Sequence, residues 1–183
     1  MSTFHFLDDI DSIDPMPILV APHPVLKQVA TNVTPDDLEA IKAALPGMFS
    51  AMYKAPGIGL AAPQVGISKR FLIMDVSEKD APREPKILIN PEIIEESKES
   101  SVHEEGCLSV PNQYAEVERP ASIKLRYSDL EGKEIILEAT GLLATCIQHE
   151  IDHLDGILFV DHLSTLKRNM LMRRLAKEQK RKL

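Results

Sequence analysis

The run Gln148-His149-Glu150-Ile151-Asp152-His153 carries two histidines four positions apart with a glutamate between them, the H-E-x-x-H pattern. On a helix, at about 100° of rotation per residue, positions four apart point the same way, so both imidazoles can reach one ion. This requirement fixes the local fold as a helix, and it places Glu150 beside the ion. Two neutral nitrogen donors leave a divalent metal Lewis acidic, and an adjacent carboxylate can take the proton from a water that the metal activates. The flanks agree with a helix. Leu142, Leu143, Cys146, Ile147, Ile151 and Leu154 recur at three- and four-residue spacing, and Gly156 closes the run as a C-terminal cap does. A surface helix with ordinary polar residues is the bland alternative. Against it, both histidines fall on the side occupied by Leu142 and Cys146.

Two histidines do not hold a catalytic metal, so a third ligand must come from elsewhere in the chain. Cys146 and His153 are seven positions apart on one helix, a rise of roughly 10 Å at 1.5 Å per residue, whereas ligand bonds are about 2.0–2.3 Å. Cys107, in Glu104-Glu105-Gly106-Cys107-Leu108-Ser109, is the better donor. There Gly106 relieves backbone crowding, and a nearby metal would keep the thiol as thiolate. A further segment, Gly57-Ile58-Gly59-Leu60-Ala61-Ala62-Pro63-Gln64, has small residues that let another backbone approach closely, and it ends in an amide.

These three segments, Gly57 to Gln64, Glu105 to Ser109 and Gln148 to His153, stand in the order found in peptide deformylases, a family that this chain resembles over most of its length. The resemblance implies metal ligands Cys107, His149 and His153, catalytic Glu150, and oxyanion donors from the Gln64 side chain and the Leu108 backbone. It implies removal of the formyl group from the N-terminal formyl-methionine of newly made polypeptides, releasing formate, with metal-bound water activated by Glu150. It favours Fe²⁺ as the physiological ion, with Zn²⁺, Ni²⁺ or Co²⁺ substituting, and first-row preferences alone do not choose among these. Leu142, Thr145 and Cys146 lie within about 60° of the His149 direction on the helix, which makes them candidates to line a pocket for a methionine side chain. Ile58 and Gly59 are the matching candidates from the glycine-rich segment, whose backbone would pair with the substrate as an added strand. Two positions depart from the family pattern: His103 stands where an apolar pocket residue is frequent, and Tyr114 replaces a basic residue. Glu105 and Arg119 form a further pair, with the carboxylate orienting a ligand or the Cys107 loop.

The chain reads as α+β, with mostly antiparallel sheets packed around a central metal-binding helix and a helix at the C-terminal end. At 183 residues and 44% hydrophobic content, residues 1–183 suit one catalytic domain. Thr34 as N-cap, Pro35 as first helical residue and a stripe of Leu38, Ile41, Leu45, Met48 and Met52 predict a helix over 35–53, with a kink or short break at Pro46-Gly47. Strands are expected at Phe71 to Val76, Lys86 to Asn90, Ile123 to Tyr127 and Glu134 to Ala139, the last two joined by a turn at Asp129-Leu130-Glu131-Gly132. Cys107 would sit on an adjoining strand or loop.

Residues 166–183 carry a charge of +7 against −14 for residues 1–165, together the −7 of the whole chain. Leu166 with Met170, and Leu171 with Leu175, give this basic helix two apolar pairs. The family resemblance suggests that such a helix docks on the ribosome, where clustered cations bind phosphate by counterion release. Two cysteines, one assigned to a metal, fit a reducing compartment. The first twenty residues hold four aspartates and no Lys or Arg, unlike a secretory or transit segment, and no stretch suits a bilayer, so the cytoplasm is the expected location and no membrane partner is expected. A peptidase of the H-E-x-x-H type and a purely structural metal site are the rival functions.

Overall fold

The apolar stripe from Leu38 to Met52 winds into the first helix, α1 (Leu38–Lys54), and buries Ile41, Leu45, Met48, Phe49 and Met52. The computed structural model describes residues 4–182. A short 3₁₀ turn, Pro35–Asp37, leads into α1, where the Asp37 carboxylate accepts from the Thr34 N–H at 2.8 Å. Of the kink or short break expected at Pro46-Gly47, the break is not there: α1 continues through the pair from Leu38 to Lys54. The pair instead marks where the N-terminal segment crosses the helix. The Met16 N–H donates to the Gly47 carbonyl at 3.1 Å, the Ser50 hydroxyl donates to the Ile13 carbonyl at 2.6 Å, and a Cβ on Gly47 would come within 2.7 Å of the Met16 side chain.

The strands β1 (Gly59–Ala61), β2 (Phe71–Met74), β3 (Lys86–Glu96), β4 (Ser100–Cys107), β5 (Val110–Pro120), β6 (Ser122–Ser128) and β7 (Glu134–Thr140) form two sheets. Five strands pair in the order β1-β2-β3-β6-β7, and β4 with β5 makes a separate ribbon. Every strand pair is antiparallel. Four of these strands, β2, β3, β6 and β7, lie where strands were expected, though β3 continues past Asn90 to Glu96, and Gly132, at φ +80°, closes the β6–β7 turn. Three strands were not foreseen: β1 is only three residues long, and β4 and β5 carry too many polar residues to show an apolar alternation.

The metal-motif helix is α2 (Gly141–Leu154), and Gly156 beyond it takes the left-handed conformation, φ +73°, expected of a residue ending a helix. One side of α2, through Ala144, Ile147, Ile151 and Leu154, packs on Leu72, Met74, Leu88, Ile123 and Leu125 of the five-stranded sheet. That burial turns the side bearing His149 and Glu150 toward the β4–β5 ribbon. The last helix, α3 (Thr165–Arg181), lays Leu171 and Leu175 into a third apolar cluster with Val110, Val117 and Phe159, while Leu166 is 81% exposed and Met170 44%. Only one of the two apolar pairs is therefore core. No helix among the described residues is long and apolar enough to cross a membrane.

Candidate active site

Helix α2 and the end of β4 bring three donors together. Cys107, His149 and His153 each offer a ligand atom, and these atoms lie within 4.8 Å of one another. Cys107 Sγ is 3.2 Å from His153 Nε2. Cys107 is the last residue of β4, in the tight turn where Gly106 lets the Tyr114 ring lie against the backbone: a Cβ there would meet that ring at 2.5 Å. His149 Nδ1 donates to Glu105 Oε1 at 2.8 Å, so the nitrogen left to bind an ion, once its proton is lost, is Nε2.

Behind the donors lies a polar chain that is buried at Glu105 and Arg119 and reaches the surface at His162. Arg119 on β5 donates twice to Glu105, at 2.7 and 2.9 Å, and once to Asp152 on α2, at 2.9 Å. His162 Nε2 meets the same Asp152 oxygen at 2.7 Å. Burial alone would raise the Glu105 carboxyl, but the hydrogen bonds from His149 and Arg119 outweigh it and hold the pKa down at about 2. The pairing of Glu105 with Arg119 was legible at the sequence level. The contributions of Asp152 and His162 were not, since nothing local marks them.

Glu150 is 4% exposed, and burial, the dominant cause, pushes its carboxyl up to about 7. Burial would depress His149, but its contacts with Cys107 and Glu105 outweigh that and hold it well above the ordinary imidazole range. His153, desolvated and beside His149 and Arg119, is held well below that range and stays a neutral donor. Among the described residues, Glu150 Oε2 and His153 Nδ1 are the buried side-chain atoms with no hydrogen-bond partner. An orphaned carboxylate oxygen beside thiol and imidazole donors fits a divalent ion and the water that accompanies it.

A cleft of about 590 Å³ opens over this group. Ile58, Gly59, Gln64, Leu108, Leu142, Thr145 and Cys146 all line it, together with Cys107, His149 and Glu150. Gly59 must lack a side chain, since a Cβ would come 2.7 Å from Glu150 Oε1 and 2.9 Å from Cys146 Sγ. Gln64 is fixed at both ends: its Oε1 accepts from the Ala61 N–H at 2.8 Å and its Nε2 donates to Ser109 Oγ at 3.1 Å, with Cys107 Sγ at 3.6 Å. Ser109 closes the Glu105 to Ser109 segment, but nothing in the sequence marks its hydroxyl as the partner of Gln64. Leu142 stands at the mouth, 56% exposed, and Cys146 is buried deeper. Of the two departures, Tyr114 lies on the rim and His103 is exposed outside the lining.

A helix that presents His149 and Glu150 to a cleft and sets His153 behind them, with a cysteine from a neighbouring ribbon, defines a metal-dependent hydrolase. The polypeptide deformylase family profile matches residues 15–169. A peptide deformylase of Rhizobium meliloti is 53% identical over 164 residues, 90% of this chain and 94% of that protein, and one of Brucella suis is 51% identical over 88% and 91%. Among solved structures, a peptide deformylase from Legionella pneumophila superposes with a TM-score of 0.85 at 40% identity, covering 92% of this chain and 97% of that one. The Ehrlichia chaffeensis enzyme in complex with actinonin gives 0.84 at 38% identity, covering 91% and 98%. The chain belongs to the peptide deformylase family.

Proposed function

We propose that this chain removes the formyl group from the N-terminal formyl-methionine of newly made polypeptides, releasing formate, with the residues around the cleft in the following roles. The observation that carries this reading is that Cys107, His149 and His153 bring their donor atoms together beside a cleft that Cys107, His149 and Glu150 line. Cys107, His149 and His153 hold a divalent ion. Three protein donors leave an open coordination position, as in catalytic and not structural sites. When bound, the ion supplies Lewis acidity toward the formyl carbonyl and lowers the pKa of a water. Fe²⁺ is the physiological ion in this reading, with Zn²⁺, Ni²⁺ or Co²⁺ able to replace it.

Glu150 takes the proton of the attacking water and later returns it to the leaving amine. Its pKa of about 7 lies where a single group serves as both base and acid near neutral pH. Negative charge grows on the formyl oxygen. The Gln64 amide, its orientation fixed by Ala61 and Ser109, and the Leu108 backbone N–H supply donors there. Ile58 and Gly59 offer a strand edge to the substrate backbone, and Leu142 and Cys146 an apolar wall for methionine. Protein purified without oxygen and loaded with Fe²⁺ is expected to release one formate per formyl-Met peptide and to leave unformylated peptides intact. Cleavage of unformylated peptides would instead mark a general peptidase.

Residues 1–183 form one catalytic domain in this reading, α3 is part of it, and the protein works in the cytoplasm. There the basic helix docks on ribosomal RNA. Arg173, Arg174 and Lys177 are exposed, so their joint replacement by glutamate spares the Leu171 and Leu175 packing that a truncation would remove. The triple variant is expected to lose salt-sensitive co-sedimentation with ribosomes while keeping formate release. Unchanged co-sedimentation would sink the docking role.

A further inference from the structure

The ladder between β4 and β5 skips. Gly106 pairs with Tyr114, but the next residue, Cys107, pairs with Val110, so Pro111, Asn112 and Gln113 lie outside the ladder. This bulge lines the cleft. Asn112 takes a left-handed conformation, φ +60°, that few side chains tolerate. Backbone displaced from its ladder has lost partners that would order it, and bulges beside a cleft re-aim the side chains they carry.

The missing order comes from α3. Asn112 Nδ2 donates to Glu178 Oε2 at 3.3 Å and Gln113 Nε2 to Glu178 Oε1 at 3.2 Å, so the two carboxylate oxygens each take one amide. Glu178 is the single acid in a helix otherwise rich in Lys and Arg. Leu175, buried one turn before it, anchors that part of α3 on the β5 side of the molecule. Gln113 is 3% exposed, so its amide is committed to this contact and not to solvent. Glu178 also lies beyond residues 15–169, the part that matches the family profile.

We propose that Glu178 is a positioning residue for substrate binding: it holds the 111–113 bulge in place as the rim of the cleft, acting through Asn112 and Gln113. The role rests on the deformylase reading of the site. Because the rim carries neither a metal donor nor Glu150, it contributes to binding of the peptide beyond formyl-methionine and not to the chemical step.

The test compares Glu178→Ala with wild type on formyl-Met-Ala-Ser, alongside nuclear magnetic resonance of the Asn112 and Gln113 side-chain amides. Glu178→Ala is expected to raise KM about five- to tenfold with kcat within about twofold, and to shift both amides. Glu178→Gln, which keeps one acceptor oxygen, is expected to give a smaller rise. Ala176→Gly, an exposed change that weakens the helix without touching the contact, controls for general loosening of α3. An unchanged KM in Glu178→Ala overturns the proposal, as does an equal rise in Ala176→Gly. If wild-type protein released no formate, the deformylase reading would fail; unshifted amides in Glu178→Ala would then overturn the contact on its own evidence.

Discussion

Glu150→Gln is expected to lower formate release by about 10²- to 10⁴-fold while the bound metal stays near one ion per chain. The substitution preserves volume in a position with little room, since even a Cβ on Gly59 would come within 2.7 Å of the carboxylate. It removes the ability to accept a proton. Glutamine also suits the burial better than a charged group, so the melting temperature should hold or rise. Metal analysis beside the turnover assay separates the roles: loss of the ion together with activity would make Glu150 a ligand instead of a base.

Arg119→Ala is expected to act in the opposite way, on the fold and the metal before the chemistry. Removing one partner of a buried ion pair costs about 3–5 kcal/mol, because Glu105 would be left charged and uncompensated. Glu105 also orients His149, so metal affinity should fall by about 10- to 100-fold. The pH dependence gives a further signature. Glu105 titrates at about 2 in the folded protein against an ordinary value of 4.5, so its stabilising contribution is fully present above 4.5 and disappears as the pH falls toward 2. The stability gap between wild type and variant in denaturant titrations should therefore be widest near neutrality and narrow below about 4.5. A gap of under 1 kcal/mol at pH 7, with metal affinity unchanged, would mean that this pair is not what braces the site.

The parts of this molecule that could be read from its sequence are those in which a short-range pattern carries the physics. Helix α2 announces itself through spacing, because the residues that pack on the sheet and those that face the cleft repeat with one period. The β6–β7 hairpin is visible for the same reason, with a turn signal between two alternating runs. The β4–β5 ribbon is not, because it buries charge: Glu105 and Arg119 occupy inward positions that a pattern of apolar residues would claim. Their pairing across the ribbon could be suspected, but their links to His149 and Asp152 depend on how α2 docks. The contacts of Gln64 with Ser109 and of Glu178 with the β5 bulge join residues 45 and 65 positions apart or more, and no local signal foretells them. The uninterrupted course of α1 past Pro46 belongs with these, since the N-terminal crossing that makes use of the Pro-Gly pair lies some thirty residues upstream.

The polar chain from Glu105 through Arg119 to Asp152 fastens the ribbon that carries Cys107 to the helix that carries both histidines, and it does so with protein groups alone. The ion is then a guest in a socket kept in shape by its walls. In the proposed reading, an ion that is lost can be replaced without the chain having to refold around the newcomer, and metals of different preferred geometry meet the same arrangement of donors. In such a protein, repair of the centre is a matter of supply and exchange, and the working life of the polypeptide is uncoupled from the working life of its ion.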